Sequence, residues 1–424
     1  MVETLNHSAE ALRHLFETQD GKFQSIRTIG WANFEQTGWP TRRDEEYKFT
    51  ALDAIFKRNI DFSTSGFGYS IGKEYIQSKF YPVEGHHLVF VNGNFNKSWS
   101  SISGASLDIS SFEDLNSEDL MKIVDQFGDD RASVSINRAF LSNGIAIRVG
   151  KSEESLPVFI YHFRDASEST TLSFPFIHVH AAENAQIRLY EKSFSIGSHV
   201  HFASHFTGIE VERNANVQFT KIQELEKRDY TLDNLFVKQH ENSHFFSNTF
   251  SLSGGLIRNN IEITMDGEHS EANMYGLYFL DGHSHVDNHT VVDHRFPNCD
   301  SNEMYKGIVD ENSTAVFNGK IFVRQPAQKT NAFQANNNIS LSDTATIHTK
   351  PQLEIWADDV KCSHGCTIGQ LDNEALFYLQ SRGIKPALAK AMMLGAFAVE
   401  SLDHINMDII KEEISQHIYS RLGV

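Results

Sequence analysis

The chain has 424 residues, of which 40% are hydrophobic, and its 55 acidic and 37 basic side chains give a net charge of −18. This apolar content excludes global disorder, and the length exceeds one ordinary domain, although a continuous repeat fold can reach it. The negative charge disfavours nucleic acid and anionic membranes as main partners.

Cysteine usage and the termini predict a soluble protein of the cytoplasm. Three cysteines, an odd number in a long chain, favour free thiols in a reducing compartment over a disulfide framework. The first ten residues are polar and lack the apolar core of a signal peptide, so we expect no secretory signal. The longest apolar run near the end, at 391–399, is too short to cross a bilayer.

Residues 1–140 are predicted to form a mainly helical region. Apolar residues recur at helical spacing in 8–16 and again in 23–36. The charged segment 39–48 carries two aromatic side chains and is interpreted as a helix start capped by Thr41, with its charges in solvent.

The same region is predicted to contain one hairpin and one further short helix. Residues 87–99 alternate around Asn92-Gly93-Asn94, a combination that favours a tight turn between two strands. Residues 117–127 begin with polar side chains that suit a helix N-terminus, so they are predicted to form a short capped helix.

From about residue 143 the sequence changes to short β-rich segments separated by polar turns. The turns share a polar triplet that leads into an alternating apolar segment, and their middle residues are Asn184, Asn214, Asn242, His269, Asn312 and Asp343. Four of the five steps between them are 27 to 31 residues long, and the step from His269 to Asn312 is 43. Such recurrence is typical of a solenoid, and short strands without long helices favour a β-helix over 141–370. The 43-residue step is interpreted as an insertion or an extra turn, and a β-sandwich is the alternative architecture.

Residues 371–424 are predicted to be helical. Residues 373–381 end shortly before Gly383, a suitable C-cap, and Pro386 takes a first-turn position. Apolar side chains cover several faces of 386–402, which indicates either a core helix or a docking surface for another protein. An amphipathic helix follows at 410–422.

One short motif places two thiols and an imidazole at alternate positions. In an extended strand Cys362, His364 and Cys366 share a face with Val360 and Ile368, which directs them toward a core or an interface. Thiolate and imidazole suit sulfur or iron handling, whereas inert packing of buried thiols is the plain alternative. A zinc site is disfavoured because positions two apart lie about 6.6 Å from each other and four converging ligands are needed. A Cys362–Cys366 disulfide exceeds the reach of the bond in an extended strand.

Two enzyme classes are weighed against a binding role. His283, His285 and His289 resemble a cupin-type metal triad, but a solenoid period contradicts a compact jelly roll. A carbohydrate-active β-helix enzyme needs paired carboxylates on one exposed face, and the adjacent Asp358 and Asp359 point to opposite faces of a strand. The sequence contains neither a P-loop nor a nucleophile elbow.

Four segments occur in order in the second half of the chain: NGKIFVR at 318–324, AQKTNA at 327–332, KPQLEIWADDVKCSHG at 350–365 and LFYLQSRGI at 376–384. Further segments are PTRR at 40–43 followed by Glu45, Tyr47 and Lys48, FVNG at 90–93 and LSNGIAIRV at 141–149. Together they resemble the SufB/SufD family of iron–sulfur cluster assembly scaffolds, most strongly from about 290 to 400. Because SufB typically carries further N-terminal cysteines and a different sequence at 361–365, the chain is identified with the SufD branch.

The resemblance implies a right-handed parallel β-helix flanked by helical regions and a non-catalytic scaffold role. It also implies a heterodimer with SufB and binding of the SufC ATPase by the C-terminal helices at 371–424. When SufB is absent, an open solenoid edge is expected to pair with a second copy of the chain.

The resemblance assigns a role to two residues of the motif. Cys362 and His364 match family positions associated with cluster assembly, with His364 favoured over Cys362 as the metal ligand. They are expected to hold a transient iron–sulfur cluster together with SufB and to bind no stable metal in the isolated chain. Cys366 departs from the family pattern and Cys299 lies in a family-like stretch, and neither is given a role.

Overall fold

The computed structural model describes residues 3–19, 21–103, 107–151 and 156–423. The helices in these ranges are α1 (Glu3–Glu17), α2 (Gln24–Thr37), α3 (Leu52–Asn59), α4 (Lys73–Gln77), α5 (Ser117–Asp125), α6 (Ala132–Ala139), α7 (Asn373–Ser381), α8 (Pro386–Leu402) and α9 (Asp408–Arg421). No described helix is both long enough and apolar enough to cross a membrane.

Strands make up most of the remaining structure. They are β1 (His86–Val91), β2 (Asn94–Phe95), β3 (Leu107–Ser111), β4 (Gly144–Val149), β5 (Val158–Ala166), β6 (Thr171–Ser173), β7 (Phe176–Ala181), β8 (Gln186–Gly197), β9 (His201–Val211), β10 (Asn216–Glu224), β11 (Asp229–Gln239), β12 (His244–Ser253), β13 (Leu256–Met265), β14 (Glu271–Leu280), β15 (His285–His294), β16 (Asp300–Val309), β17 (Thr314–Val323), β18 (Asn331–Ser340), β19 (Thr346–Ile355) and β20 (Lys361–Gly369).

These strands form a parallel β-solenoid of about eight turns, which confirms the predicted fold class. From β7 onward successive strands alternate between two sheets, and each strand pairs in parallel with the strand one turn away. The first sheet runs β2-β1-β5-β8-β10-β12-β14-β16-β18-β20, and the second runs β19-β17-β15-β13-β11-β9-β7-β4-β3, with β6 paired to β9. Apolar side chains from both sheets fill the space between them.

Each turn of the solenoid uses 27 to 31 residues in the regular part of the first sheet. The residues that lie opposite one another on successive strands are Gln186, Asn216, His244, Glu271, Asp300, Asn331 and Lys361. The predicted period is therefore the length of one turn.

One corner of the solenoid repeats a left-handed backbone conformation. The residues at this corner have φ between 55° and 61°, and they are Asn184, Asn214, Asn242, His269, Asn298 and Lys329. The Asn214 N–H donates to the Glu241 carbonyl, just before Asn242, which satisfies backbone groups that a turn would otherwise leave open. Asparagine tolerates this conformation better than most residues.

The interpretation of the 43-residue step as an insertion or an extra turn is wrong. Asn312 and Asp343 lie at the opposite corner, between β16 and β17 and between β18 and β19. The corner of His269 continues at Asn298 and Lys329 with the ordinary period. Both corners are polar because both are exposed connections, so composition alone does not distinguish them.

Helices cover the outer faces of both sheets. The C-terminal helices α8 and α9 pack Leu394, Ile410 and Ile414 against the first sheet. The N-terminal helices pack on the second sheet, where Phe176, Phe206 and Phe236 form a stacked column under α2, α5 and α6. Strands β1 to β3 precede residue 141 yet belong to the sheets, so the N-terminal region also supplies the first strands of the solenoid.

Local sequence signals place several of these elements. The predicted hairpin is confirmed by β1 and β2, where Asn92 and Gly93 have φ of 44° and 81°. The helix at 117–127 is confirmed by α5, whose N-cap Asn116 accepts a hydrogen bond from the Asp119 N–H. The C-terminal helices are also confirmed, and Asp372 caps α7 while Pro386 begins α8.

The charged segment 39–48 does not start an α-helix, contrary to its interpretation. The Thr41 N–H and hydroxyl both donate to the Asp44 carboxylate, at 2.7 and 3.1 Å. The chain then forms a single 3₁₀ turn, Glu45–Tyr47. Thr41 therefore stabilises a local turn, in which its hydroxyl also accepts from the Arg43 N–H, and the next α-helix begins only at Leu52.

Glu46 in this segment is half-buried against the second sheet, so its charge does not lie in open solvent. It accepts a hydrogen bond from Asn318 at 3.0 Å, lies 3.1 Å from His289 Nε2 and pairs with Lys320. The outer face of the sheet is polar here, and buried polar groups require partners. Segment 39–48 packs against the second sheet because the sheet supplies hydrogen-bond and charged partners for Glu46.

Candidate functional site

The last strand of the first sheet, β20, carries Cys362, His364 and Cys366 at alternate positions. Each lies opposite a buried or inward-facing residue of β18, and these residues are Ala332, Gln334 and Asn336. The three side chains therefore lie on the inward-facing side of β20, and each continues a stack of inward-facing residues from the earlier turns. The prediction that they share one face is confirmed.

No further turn of the described chain covers the inward-facing side chains of β20. In the sheet order β20 and β19 are the terminal strands, so each presents one edge of unpaired backbone groups. Cys362 is half-buried against the core between the sheets, together with Val360. His364 and Cys366 are exposed, and Ile368 is 53% exposed although it faces the inward side. A face that is internal in every earlier turn is thus open to a partner.

Burial affects the reactivity of Cys362. It raises the pKa of the thiol above its ordinary value, against a weaker opposing effect of a hydrogen bond with the Ala332 backbone. With its pKa raised, this thiol stays protonated at neutral pH in the isolated chain. The thiolate, not the thiol, is the form that binds metals and acts as a nucleophile. A bound metal ion or a positive charge from a partner would favour loss of the proton.

Two polar residues lie behind His364 in the preceding turns. Gln334 is opposite His364, and its Nε2 donates to Glu303 Oε2 at 2.6 Å. Glu303 is fully buried, and this burial raises the pKa of its carboxyl to about 7 despite the hydrogen bond from Gln334. Gln334 Oε1 is buried and has no hydrogen-bond partner among the residues the structure describes.

Sequence reasoning missed this pair. The signal that could have found it is the solenoid period itself, since positions 303, 334 and 364 are spaced by 31 and 30 residues. Residues one period apart stack on neighbouring strands. Glu303 and Gln334 therefore form a polar path through the interior toward the exposed imidazole.

The third cysteine is separate from β20 and has a structural environment. Cys299 is completely buried in the core between the sheets. It accepts a hydrogen bond from the Ser270 hydroxyl at 3.3 Å, and its thiol donates to the Gly267 carbonyl at 3.3 Å. Burial raises the pKa of this thiol as well, so Cys299 behaves as a packed side chain.

The three histidines of the cupin-like motif are not brought together. His283 is exposed in the connection before β15, His285 Nε2 lies 2.9 Å from the Thr50 hydroxyl, and His289 pairs with Glu46. Within the described ranges no group of three metal-binding side chains includes any of them. Each imidazole has its own partner from the N-terminal segment or solvent, so a metal-dependent enzyme at this motif is not favoured.

The C-terminal helices expose several large apolar side chains to solvent. Helix α7 has no buried residue, and Phe377 and Tyr378 are 71% and 58% exposed. On α8 the side chains of Leu388 and Met392 are also exposed, whereas Leu394 is buried against the first sheet. The inner face of α8 therefore confirms the core reading, and the docking reading of its outer face stays a prediction.

Comparison with known proteins gives consistent matches. A sequence model described as "SUF system FeS cluster assembly, SufBD core domain" matches residues 163–397. The chain is 29% identical to the iron–sulfur cluster assembly protein SufD of Escherichia coli over 435 residues, covering 99% of this chain and 98% of that protein. It is 29% identical over 400 residues to an iron–sulfur cluster assembly SufBD family protein of Synechocystis, covering 90% and 87%. It is 25% identical over 411 residues to the chloroplastic protein ABCI7 of Arabidopsis thaliana, covering 93% and 85%.

Proposed function

Because the chain belongs to the SufBD family of the SUF iron–sulfur cluster assembly system, we propose that it is a non-catalytic scaffold subunit that assembles a transient cluster against a SufB-type partner. The observation that carries the proposal is that Cys362 and His364 both face inward on β20. This strand is the last of its sheet, and no further turn of the described chain covers it. Three free thiols suit a reducing compartment, and we place the protein in the cytoplasm.

His364 and Cys362 have separate roles in this proposal. The exposed imidazole of His364 is the metal ligand, since a neutral imidazole nitrogen binds iron well. The Cys362 thiol lies closer to the apolar core and takes the sulfur-handling role, because its thiolate forms when a partner lowers the pKa. An iron–sulfur cluster normally takes four ligands, so the partner subunit supplies the others, and iron and sulfide are cargo that passes through the interface.

The C-terminal helices form the second interface of the proposal. Phe377, Tyr378, Leu388 and Met392 expose an apolar surface of adjacent α7 and α8, and contiguous exposed apolar patches mark sites of protein association. A SufC-type ATPase bound there would supply the energy of nucleotide hydrolysis to the assembly.

The test of the cluster site uses the complete complex with SufB-type and SufC-type subunits. His364→Ala is expected to lower the yield of iron–sulfide reconstitution under anaerobic conditions at least tenfold, and Cys362→Ala to reduce it. Ser363→Ala is the matched control, because Ser363 lies between them on β20 and points to the other face. Circular dichroism and ATPase pull-down are expected to be unchanged in all three variants. If the double variant at 362 and 364 assembles clusters at the normal rate, neither residue takes part in cluster assembly and the proposed site is wrong.

A further inference from the structure

A group of imidazoles and carboxylates lies on the outer side of the second sheet, in the first turns of the solenoid. His180 is on β7, Glu210 is on β9, Glu212 follows β9 and His240 follows β11. His180 is directly opposite Glu210 in the sheet register. Glu212 and His240 occupy equivalent places, since each donates its backbone N–H to the preceding turn, at Ala181 and Val211. Three successive turns thus bring four metal-binding side chains to one place.

The distances around His180 suit a metal ion better than hydrogen bonds. His180 Nε2 lies 3.5 Å from Glu212 Oε1 and 3.9 Å from Glu210 Oε2, and the three ligand atoms lie within 4.8 Å of one another. Those separations are too long for good hydrogen bonds. They are close to the edge of about 3.4 Å that a tetrahedron has when its ligands lie about 2.1 Å from the metal. His240 Nε2 forms a hydrogen bond of 3.3 Å with Glu210 Oε1 and lies outside the group of three, so as a fourth ligand it would exchange this hydrogen bond for the metal ion.

The surroundings prepare the carboxylates for a cation. Hydrogen bonds from His240 and Gln126 lower the pKa of Glu210 to about 2, so this group is ionised. Gln126 is itself oriented by His178, whose Nε2 lies 2.8 Å from the Gln126 amide oxygen, and such outer contacts orient metal ligands. The four side chains are 17% to 34% exposed, which leaves a route for an ion.

Nearby cations are already paired with other acids. Lys238 lies 3.4 Å from Asp266, Arg213 lies 2.5 Å from Glu183, and Arg148 lies 3.5 Å from Asp108. The carboxylates of Glu210 and Glu212 therefore face imidazoles instead of lysine or arginine side chains. Among the described residues neither carboxylate pairs with a lysine or arginine, and their two negative charges match the charge of a divalent ion.

A second group in the interior provides a contrast. His162, Glu191 and His205 also lie within metal-binding distance of one another, but all three are buried. The Lys221 ammonium lies 3.3 Å from Glu191 and 2.5 Å from Asp233, and the Arg164 guanidinium lies 3.3 Å from His205 Nε2. A metal ion there would add charge to a group whose acids already have buried cations, at a high desolvation cost.

We propose that His180, Glu210, Glu212 and His240 bind one divalent first-row transition-metal ion. Two imidazole nitrogens and two carboxylates are ligands that suit Zn²⁺, Fe²⁺ and Mn²⁺. The site lies on the first turns of the solenoid and β20 is its last strand, so the two sites are separate. The inference does not depend on the proposed function.

The test uses the untagged full chain under anaerobic conditions, with Co²⁺ alone as a spectroscopic probe and Zn²⁺ alone in calorimetry. The wild-type chain is expected to bind one equivalent more than the double variant with His180→Ala and Glu212→Gln, with visible Co²⁺ bands that the double variant lacks. His240→Ala is expected to weaken the binding at least tenfold, and unchanged affinity would overturn its place as the fourth ligand.

The matched control is His244→Ala. His244 Nδ1 lies 3.1 Å from Glu271 Oε2 in an exposed pair on the other sheet that has no third ligand in the described chain. This variant is expected to bind Co²⁺ and Zn²⁺ as the wild type does. Because His180 and Glu212 are partly exposed, circular dichroism is expected to show that their variants remain folded. Equal stoichiometry in the wild type and the folded double variant overturns the proposal, as does the absence of Co²⁺ binding to the wild type at 100-fold excess.

Discussion

Glu303 links the interior of the solenoid to the exposed imidazole on β20. Its carboxyl is fully buried, and Gln334 stands between it and His364 along successive strands. Burial raises the pKa of Glu303 to about 7, because a buried carboxylate loses hydration. The group therefore changes charge near neutral pH, which few carboxyls do.

The pKa of Glu303 predicts a pH-dependent stability. A carboxyl whose pKa is raised in the folded state stabilises the fold fully below its ordinary pKa of 4.5, and this contribution is lost as the pH rises through about 7. For this single group the loss between pH 4.5 and pH 8 is up to about 3 kcal/mol. Glu303→Gln keeps an acceptor for the Gln334 amide and removes the titration, so urea unfolding is expected to show the variant gaining stability over the wild type as the pH rises.

The control for this prediction is Glu354→Gln. Glu354 is exposed on β19, so its substitution is expected to leave the pH dependence of the unfolding free energy unchanged. If Glu303→Gln and the wild type have parallel profiles from pH 5 to pH 8, the buried carboxyl does not titrate in this range.

The C-terminal helices act at the scale of the element, as cover for the first sheet and as an exposed surface. Leu394 and Leu402 on α8 pack against the sheet, and a Cβ on Gly395 would meet the Tyr419 hydroxyl at 2.7 Å, so this glycine permits close packing of α9. Truncating the chain at Asp372 would expose that core. Point substitutions on the outer face separate docking from stability.

We expect Met392→Glu to abolish binding of a SufC-type ATPase while the chain stays folded. Met392 is 44% exposed in the free protein, so the charge is tolerated there, but an unpaired charge buried in an interface costs about 3 kcal/mol or more. Calorimetric titration with the ATPase measures the loss. Ile29→Glu, at a 48% exposed position on α2, is the control and is expected to bind normally. Equal affinity of both variants would remove α8 from the interface.

At the scale of the whole molecule the two ends of the solenoid differ. At the first end β2 pairs antiparallel with β1, and β3 pairs antiparallel with β4, so each sheet begins with an antiparallel edge strand. At the last end β19 and β20 are parallel edge strands, and the exposed apolar side chains there are Ile355 and Ile368 on the strands and Trp356 directly after β19. Open edges of this kind invite pairing with another sheet.

The last end therefore predicts self-association in the absence of a partner subunit. Sedimentation at micromolar concentration is expected to show a dimer of the wild-type chain, and a SufB-type subunit is expected to convert it to a heterodimer. Ile368→Lys places a charge on the inward-facing side of β20 and is expected to yield a monomer. Ile102→Lys, at a 43% exposed position away from this end, is expected to remain dimeric. A monomeric wild type that also fails to bind the SufB-type subunit would falsify the assignment of this edge as an interface.

Features that depend on neighbours along the chain were readable from the sequence. Asp372 and Pro386 mark the starts of two helices, Asn92-Gly93 marks a hairpin, and polar turns give the period of the solenoid. The alternation of Cys362 and His364 also followed, because side chains in a strand have a period of two whatever the strand packs against. These signals determined the fold class and the face that carries the candidate site.

Contacts between turns were decided by the tertiary structure alone. Which corner His269 belongs to, and which partners hold Glu46, depend on the register of strands about 30 residues apart. The same register brings His180 opposite Glu210 and places Gln334 between Glu303 and His364. A local pattern carries no information about that register, because it is determined by how complete turns stack on one another and bury the core between the sheets.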